Sequence, residues 1–257
     1  MLTGYDNIAV ILASLVLTSC LLLIVNHFWP APNRRPHNDV IGWQLAVIGT
    51  IYAVMIGFML FAVWGNFQAA DMNVDNEASA LINLFQIADG LPQPQRAAIQ
   101  TLTVKYAQAM VSEEWPTMNA GKLGVSGHPI LQQLWSTTIG TQATTPNEQI
   151  NLSHALDQIS ALSQDRHIRQ MQSEASLPPI LWAVLICGGA ITVIAAGLIG
   201  SENQRLHFIL VLGLSIIVSI VLVAIADIDG PFQGSVHITS NAFSRVADTM
   251  AGHQSPQ

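Results

Sequence analysis

The sequence predicts an all-α integral membrane protein: four transmembrane helices in two hairpins, with a helical extramembrane domain inserted between them. Three observations carry this. Only 10% of the residues are charged, against about 25% in an ordinary soluble domain, and the mean hydropathy is +0.43. Four apolar runs are each long enough to cross a bilayer, which takes about 20 residues. Between the second and third runs lies a polar stretch whose apolar residues recur at helical spacing. The division read from the sequence is a first transmembrane hairpin at 1–65, a helical domain at 66–178, a second hairpin at 179–226 and a C-terminal tail at 227–257.

The first run is Ile8 to Phe28. It lacks a basic leader and a small-residue cleavage site, so it reads as a retained helix and not a signal peptide. The second is Val40 to Trp64, the third Pro179 to Gly200 and the fourth Leu206 to Ala226. "PAPNRRPHND" and "SENQR" are short connections and make helices 1–2 and 3–4 into hairpins. Gly42, Gly49 and Gly57 would permit close helix approach, the usual membrane packing device. Cys20 and Cys187 lie inside apolar runs and read as buried structural thiols, not as a disulfide framework or a zinc site.

The second run passes into "WGNFQAADMNVDNEAS" without a proline, and after Gly65 without a glycine. One helix should therefore continue to about Asp89, a rod of roughly 70 Å at 1.5 Å per residue. "GLPQP" at Gly90 to Pro94 is a turn. Ile99, Leu102, Tyr106, Ala109 and Met110 mark a helix from Gln95 to Glu114, and "EEWP" should end it, because Trp115 precedes a proline. "NAGKLGVSGHP" is a loop. Ile130, Leu131, Leu134 and Trp135 mark a short helix, and Leu152, Leu156, Ile159 and Leu162 a longer one from Pro146 to Ser173. After the fourth run the tail reads as ordered except for its last few residues.

Lys and Arg near the span ends should set orientation. Arg34, Arg35 and Arg205 favour both hairpin loops inside; Arg166, Arg169 and Arg245 favour the termini and helical domain inside. The rule's weight on short loops tips the balance slightly toward the first.

The formal net charge of -7 argues against a nucleic-acid partner, which needs clustered basic residues. Eight histidines are scattered without ligand spacing and read as surface residues. Glu113 and Glu114 are adjacent but point to different helix faces, which suits a helix terminus better than acid/base chemistry. No phosphate loop or nucleophile elbow is present, so no enzyme, cofactor or catalytic set is expected.

Two features of the second helix bear on function. Thr50, Val54, Phe58 and Phe61/Ala62 fall near one stripe. Such a stripe is more often core than pore, although an apolar constriction can gate by dewetting. Asp71 and Asp75 are four apart and share a face. That face is a solvated acidic surface, a cation-concentrating vestibule in an oligomer, or a divalent site completed by Asn73, Asn76 and Glu77.

"IGFMLFAVWGNF" resembles the second transmembrane helix of bestrophins, and "DGPFQG" sits where they carry Pro-Phe-Gly after the fourth span. From about residue 37 to 243, "HNDVIGW", "YAVMIGFMLFAVW", "EASALINL", "EEWPTM", "LPPILWAVLICGG" and "GPFQG" resemble the bacterial bestrophin-like membrane proteins. The resemblance implies a bacterial inner-membrane homo-oligomer, a pentamer, passing small inorganic ions passively. Its second helix would surround the axis, with Thr50, Val54 and Phe58 at the neck. The bestrophin neck is bulkier at the first two positions. "GPFQGSVHIT" has no acid after the motif, so calcium gating is not implied. Bestrophins include anion and cation conductors; the acidic segment favours cations. The alternative function is a non-conducting membrane scaffold or sensor whose helical domain binds a partner.

Overall fold

The structure, a computed structural model, describes residues 4–254, with side chains from 6 to 253. The chain is helical, with no strand among the described residues. The expectation for the last few residues falls outside the described part. In order, the helices are α1 (Gly4–Phe28), α2 (Ala31–Arg34), α3 (Asn38–Ile87), α4 (Gln95–Ala109), α5 (Trp115–Asn119), α6 (Gly127–Ile139), α7 (Pro146–Glu174), α8 (Pro179–Gly197), α9 (Gln204–Ile228) and α10 (Asn241–Gln254). α3 is one helix of 50 residues, about 75 Å long, because no proline occurs between Pro36 and Pro92. The chain divides into two compact units, 1–65 with 176–229 and 66–175 with 230–257.

The first unit holds the four membrane-grade helices, with mean window hydropathies from 2.3 to 3.2. α1 lies against α9 and α8. Hydroxyls join α1 to α9: Thr18 to Ser215 at 2.8 Å, and Ser219 to Ser14 at 2.6 Å. Interhelical bonds of this kind help hold helices where burying apolar surface gains nothing over lipid. The glycines that matter for packing are Gly188 and Gly189. A Cβ on Gly188 would sit 2.7 Å from Tyr52 Cδ2, and one on Gly189 2.8 Å from the Tyr52 hydroxyl oxygen. Their absence of side chains lets the Tyr52 ring lie flush on α8.

The two hairpin ends are tied together. Asn38 donates to the Gly200 carbonyl and accepts from the Gly200 N–H, both at 2.8 Å. Arg34 is fully buried and donates to the Asn26 side chain and, at 2.7 Å, to the Gly197 carbonyl. That carbonyl ends α8, where the helix leaves acceptors unpaired and carries partial negative charge. The guanidinium is thus held by a helix terminus and not by a carboxylate.

Three expectations are corrected in this unit. Cys20 and Cys187 are exposed on their helices. In a bilayer the surroundings are themselves apolar, so an apolar run does not mark an inward position. Gly42, Gly49 and Gly57 have nothing within 4 Å of an added Cβ, so they admit no neighbouring helix within the protomer. His207 is buried, not at the surface, because it lies on the inner side of α9 at the hairpin end.

The second unit has its own core, including Leu81, Leu84, Ile99, Tyr106, Leu134, Ile159, Leu162 and Phe243. α7 starts with a capping box: the Glu148 N–H donates to Thr145 Oγ1 at 3.2 Å, and the Thr145 N–H donates back to Glu148 Oε2 at 3.0 Å. Pro146 occupies the first turn, where its missing N–H costs no bond. From Gly230 the chain joins this core through Phe232, Ile238, Phe243 and Met250. Trp115 anchors that return: its indole N–H donates to the Ile238 carbonyl at 3.0 Å, and its ring meets Phe232 and Phe243.

The expected stop at "EEWP" is overturned. After α4 the chain makes a π turn over Met110–Glu114 and continues as α5, with Trp115 in the right-handed helical region. The π turn resets the register so that Pro116 falls in the first turn of α5, where a proline is tolerated.

Candidate functional site

In the first unit Thr50, Val54, Phe58, Phe61 and Ala62 are all exposed on α3. Val54 is 53%, Phe58 68% and Phe61 76% exposed. None is core of the protomer. The Thr50 hydroxyl donates to the Ala46 carbonyl at 2.8 Å, so its polar group is turned back on its own helix. The stripe is split. Thr50 and Val54 line a groove of 630 Å³ with Thr192 of α8 and Leu214 of α9, and the other three do not line it. Gly65, like Gly42, Gly49 and Gly57, leaves open space beside α3.

In the second unit Asp71 and Asp75 are exposed. Asp75 faces Arg245 of α10 at 3.4 Å, a solvated pair with both side chains more than half exposed, worth little in stability. Asp71 has no ion-pair partner among the described residues. Two of the three residues expected to complete a divalent site turn away from them. Asn73 is buried and donates to the Asp165 carbonyl, and Glu77 is fully buried. Among the described residues no group of three or more His, Cys, Asp or Glu side chains is arranged to hold a metal ion.

Glu77 belongs to a buried ion network. Arg169 Nε donates to Glu77 Oε2 at 2.6 Å, and Arg169 Nη2 bridges Glu77 Oε1 and Glu114 Oε2, each at 3.1 Å. Arg166 grips Glu114 with two bonds, at 2.6 and 3.0 Å. The Tyr106 hydroxyl donates to Glu77 at 2.6 Å, and the Gly127 N–H to Glu114 at 2.7 Å. Two carboxylates and two guanidiniums make the network neutral, the condition under which charge is tolerated inside a protein. Burial alone would raise the Glu114 carboxyl; Arg166, Arg169 and the Gly127 N–H outweigh it and hold it below its ordinary value. Burial, then the charge of Glu77, pushes the Tyr106 phenol well above its usual range. Burial would lower Arg169, but the Glu77 carboxylate prevails and keeps it charged. The arrangement ties α3, α4 and α7 together around ions that no solvent reaches.

A sequence signal for this network existed. Ala155, Ile159 and Leu162 continue at helical spacing into Arg166 and Arg169, and Leu84 and Leu81 continue back into Glu77 and Val74. Charges that sit on a buried stripe must pair with one another.

No curated protein matches the sequence. The fold matches the crystal structure of a bacterial bestrophin homologue from Klebsiella pneumoniae, with a TM-score of 0.70 at 14% identity, over 96% of this chain and 100% of that one. A single-residue variant of that homologue matches with a TM-score of 0.72 at 13% identity, over 96% of this chain and 98% of that one. At such identity the likeness speaks for the fold. The sequence itself matches the bestrophin-like domain over residues 12–243, and the chain therefore belongs to the bestrophin-like family of membrane proteins.

Proposed function

We infer that this protein is the protomer of an oligomeric channel passing small inorganic ions passively, with α3 around the axis. The observation that carries this reading is the uninterrupted 50-residue α3, whose Phe58, Phe61 and four glycines find no packing partner in the protomer, in a chain of bestrophin-like type. Copies of the same helix are the natural cover for that side, and the family resemblance favours five. Phe58, flanked by Val54, forms an apolar ring that opposes passage because it offers ions no replacement for hydration. Asp71 and Asp75 recur around the axis as an acidic mouth that favours cations. Asp71 is the stronger half, since Arg245 offsets Asp75. The protein resides in the bacterial plasma membrane and performs no catalysis.

Native mass spectrometry of the detergent-solubilised protein, paired with ion flux from vesicles carrying it, tests this. A ring-sized assembly with flux is expected. Monomers alone, or an assembly with an axis plugged by Phe58 and Phe61 and no flux, would leave the scaffold or sensor reading.

A further inference from the structure

The second hairpin is closed, at the end away from its loop, by a single carboxylate. Asp229 follows the last residue of α9, and both of its carboxylate oxygens accept from the backbone N–H of Leu177, at 2.9 and 3.1 Å. That N–H is the last donor before α8, because Pro178 and Pro179 have none. The carboxylate thus stands ahead of a helix N-terminus, where negative charge is favoured. Leu177, Trp182 and Ile228 pack beside it against Val63, Leu185 and Ile225, and Asp229 is half-buried. No basic side chain answers the charge. His27, Arg34, Arg35, His37, Arg205 and His207 are the bases of the first unit, and all belong to its opposite end. The charged groups at this end are acids. α9 adds Asp227, and α1, antiparallel to α9 through Ser14–Ser219 and Thr18–Ser215, begins with Asp6. Glu174 precedes Leu177 in the chain. α8 has no titratable group but Cys187, and the α3 residues packed here, Ile56, Met59, Leu60 and Val63, are apolar. Burial raises the Asp229 carboxyl above its ordinary value, and the Leu177 N–H only partly offsets this.

We propose that Asp229 is a proton-operated clasp on the second hairpin. Charged, the carboxylate holds the Leu177 N–H with both oxygens and fixes the chain where it enters α8. Protonated, it keeps one weaker acceptor, because charge assistance roughly doubles the strength of a hydrogen bond, and the stretch before α8 opens more often. The neutral acid is also freed from the cost of holding a charge among apolar side chains. Opening is therefore local and is not unfolding. A group whose folded-state value is raised adds stability at acid pH and loses it as pH rises through that value, so the fold itself is not weakened when the clasp takes up its proton.

The test is hydrogen exchange of the full-length protein in detergent, read by mass spectrometry across the range from neutral to acid pH and corrected for intrinsic exchange chemistry. In fragments running from Ala175 to Pro179 the reporting amides are Ser176 and Leu177, since the prolines carry none. Exchange there should quicken roughly tenfold as pH falls, the factor separating a charge-assisted hydrogen bond from a neutral one. Amides in the middle of α8 and α9 should not respond. Asp229→Asn, a neutral mimic, should exchange at the fast rate at every pH without lowering the melting temperature at neutral pH. Asp227→Asn should keep the wild-type response. Exchange at Leu177 that does not change with pH overturns the proposal, as does wild-type protection in Asp229→Asn. A response that disappears in Asp227→Asn assigns the proton elsewhere, and a lower melting temperature in Asp229→Asn makes the contact a structural bond and not a switch; either result also overturns it. None of these readouts depends on ion passage.

Discussion

Replacing Arg169 by methionine should destabilise the helical domain more than any surface change, and the loss should be largely rescued by Glu77→Gln. Arg169 makes three charge-assisted hydrogen bonds, two to Glu77 and one to Glu114, with no solvent contact at any of the three side chains. Arg169→Met leaves two buried carboxylates facing one guanidinium, Arg166. Removing one partner of a buried pair costs about 3–5 kcal/mol, because the survivor cannot be rehydrated. A domain of this size loses roughly 4 °C per kcal/mol, so the apparent melting temperature should fall by about 12–20 °C. Glu77→Gln alone leaves an excess cation and should cost a comparable amount. The double variant is different. It leaves Glu114 with Arg166, a neutral pair gripped by two bonds, and the glutamine oxygen still accepts from Tyr106. The double variant should therefore be more stable than either single one. Thermal unfolding of the full chain in detergent, followed by helical circular dichroism and arranged as a double-mutant cycle, reads this. If the two losses add to within about 0.5 kcal/mol, as they do for independent sites, Glu77 and Arg169 are not coupled and the network account is wrong.

Glu114 predicts a pH dependence with a definite sign. Its carboxyl is held below the ordinary value, so its contribution is complete above the unfolded pKa of about 4.3 and is lost as pH falls through the lower folded value. Melting temperature should lose nothing to Glu114 between pH 7 and 5 and should fall below pH 4, with Glu114→Gln flattening that acid slope; an unchanged slope in the variant refutes it. Thr145→Ala removes one half of the α7 capping box and should cost about 1 kcal/mol, read by the same melt. Phe58→Ala should raise unitary conductance in reconstituted bilayers by widening the apolar ring; wild-type currents from an intact assembly would count against the ring. Asp71→Asn with Asp75→Asn should shift the reversal potential in a salt gradient toward chloride. The shift should be largest at low ionic strength, since the Debye length is about 10 Å at 0.1 M. A wild-type reversal potential at low salt would make these acids a solvated surface.

Several elements follow from local chemistry and were legible in the sequence. The four spans follow from hydropathy and length alone. The unbroken α3 follows from the lack of any proline over its length, and the start of α7 from Thr145, Pro146 and Glu148, since capping and proline effects act within one turn. Long-range structure was decided by partners that no local pattern names. The π turn at Met110–Glu114 carries the chain past Pro116 because Trp115 is anchored to Ile238 and Phe243, more than a hundred residues away. Glu77 reads as a candidate metal-site donor and Glu114 as part of a helix terminus until Arg166 and Arg169 are brought to them. Asp71 and Asp75 sit within six residues of Glu77, yet on the other side of the same helix. Inside a bilayer the pattern is weaker still, because lipid-facing and protein-facing positions are both apolar. That is why Cys20, Cys187 and the α3 glycines turn outward although their sequence surroundings resemble those of Gly188 and Gly189. A sequence states which residues avoid water; which of them meet each other is set by the tertiary fold, where charge must be neutralised and volume filled.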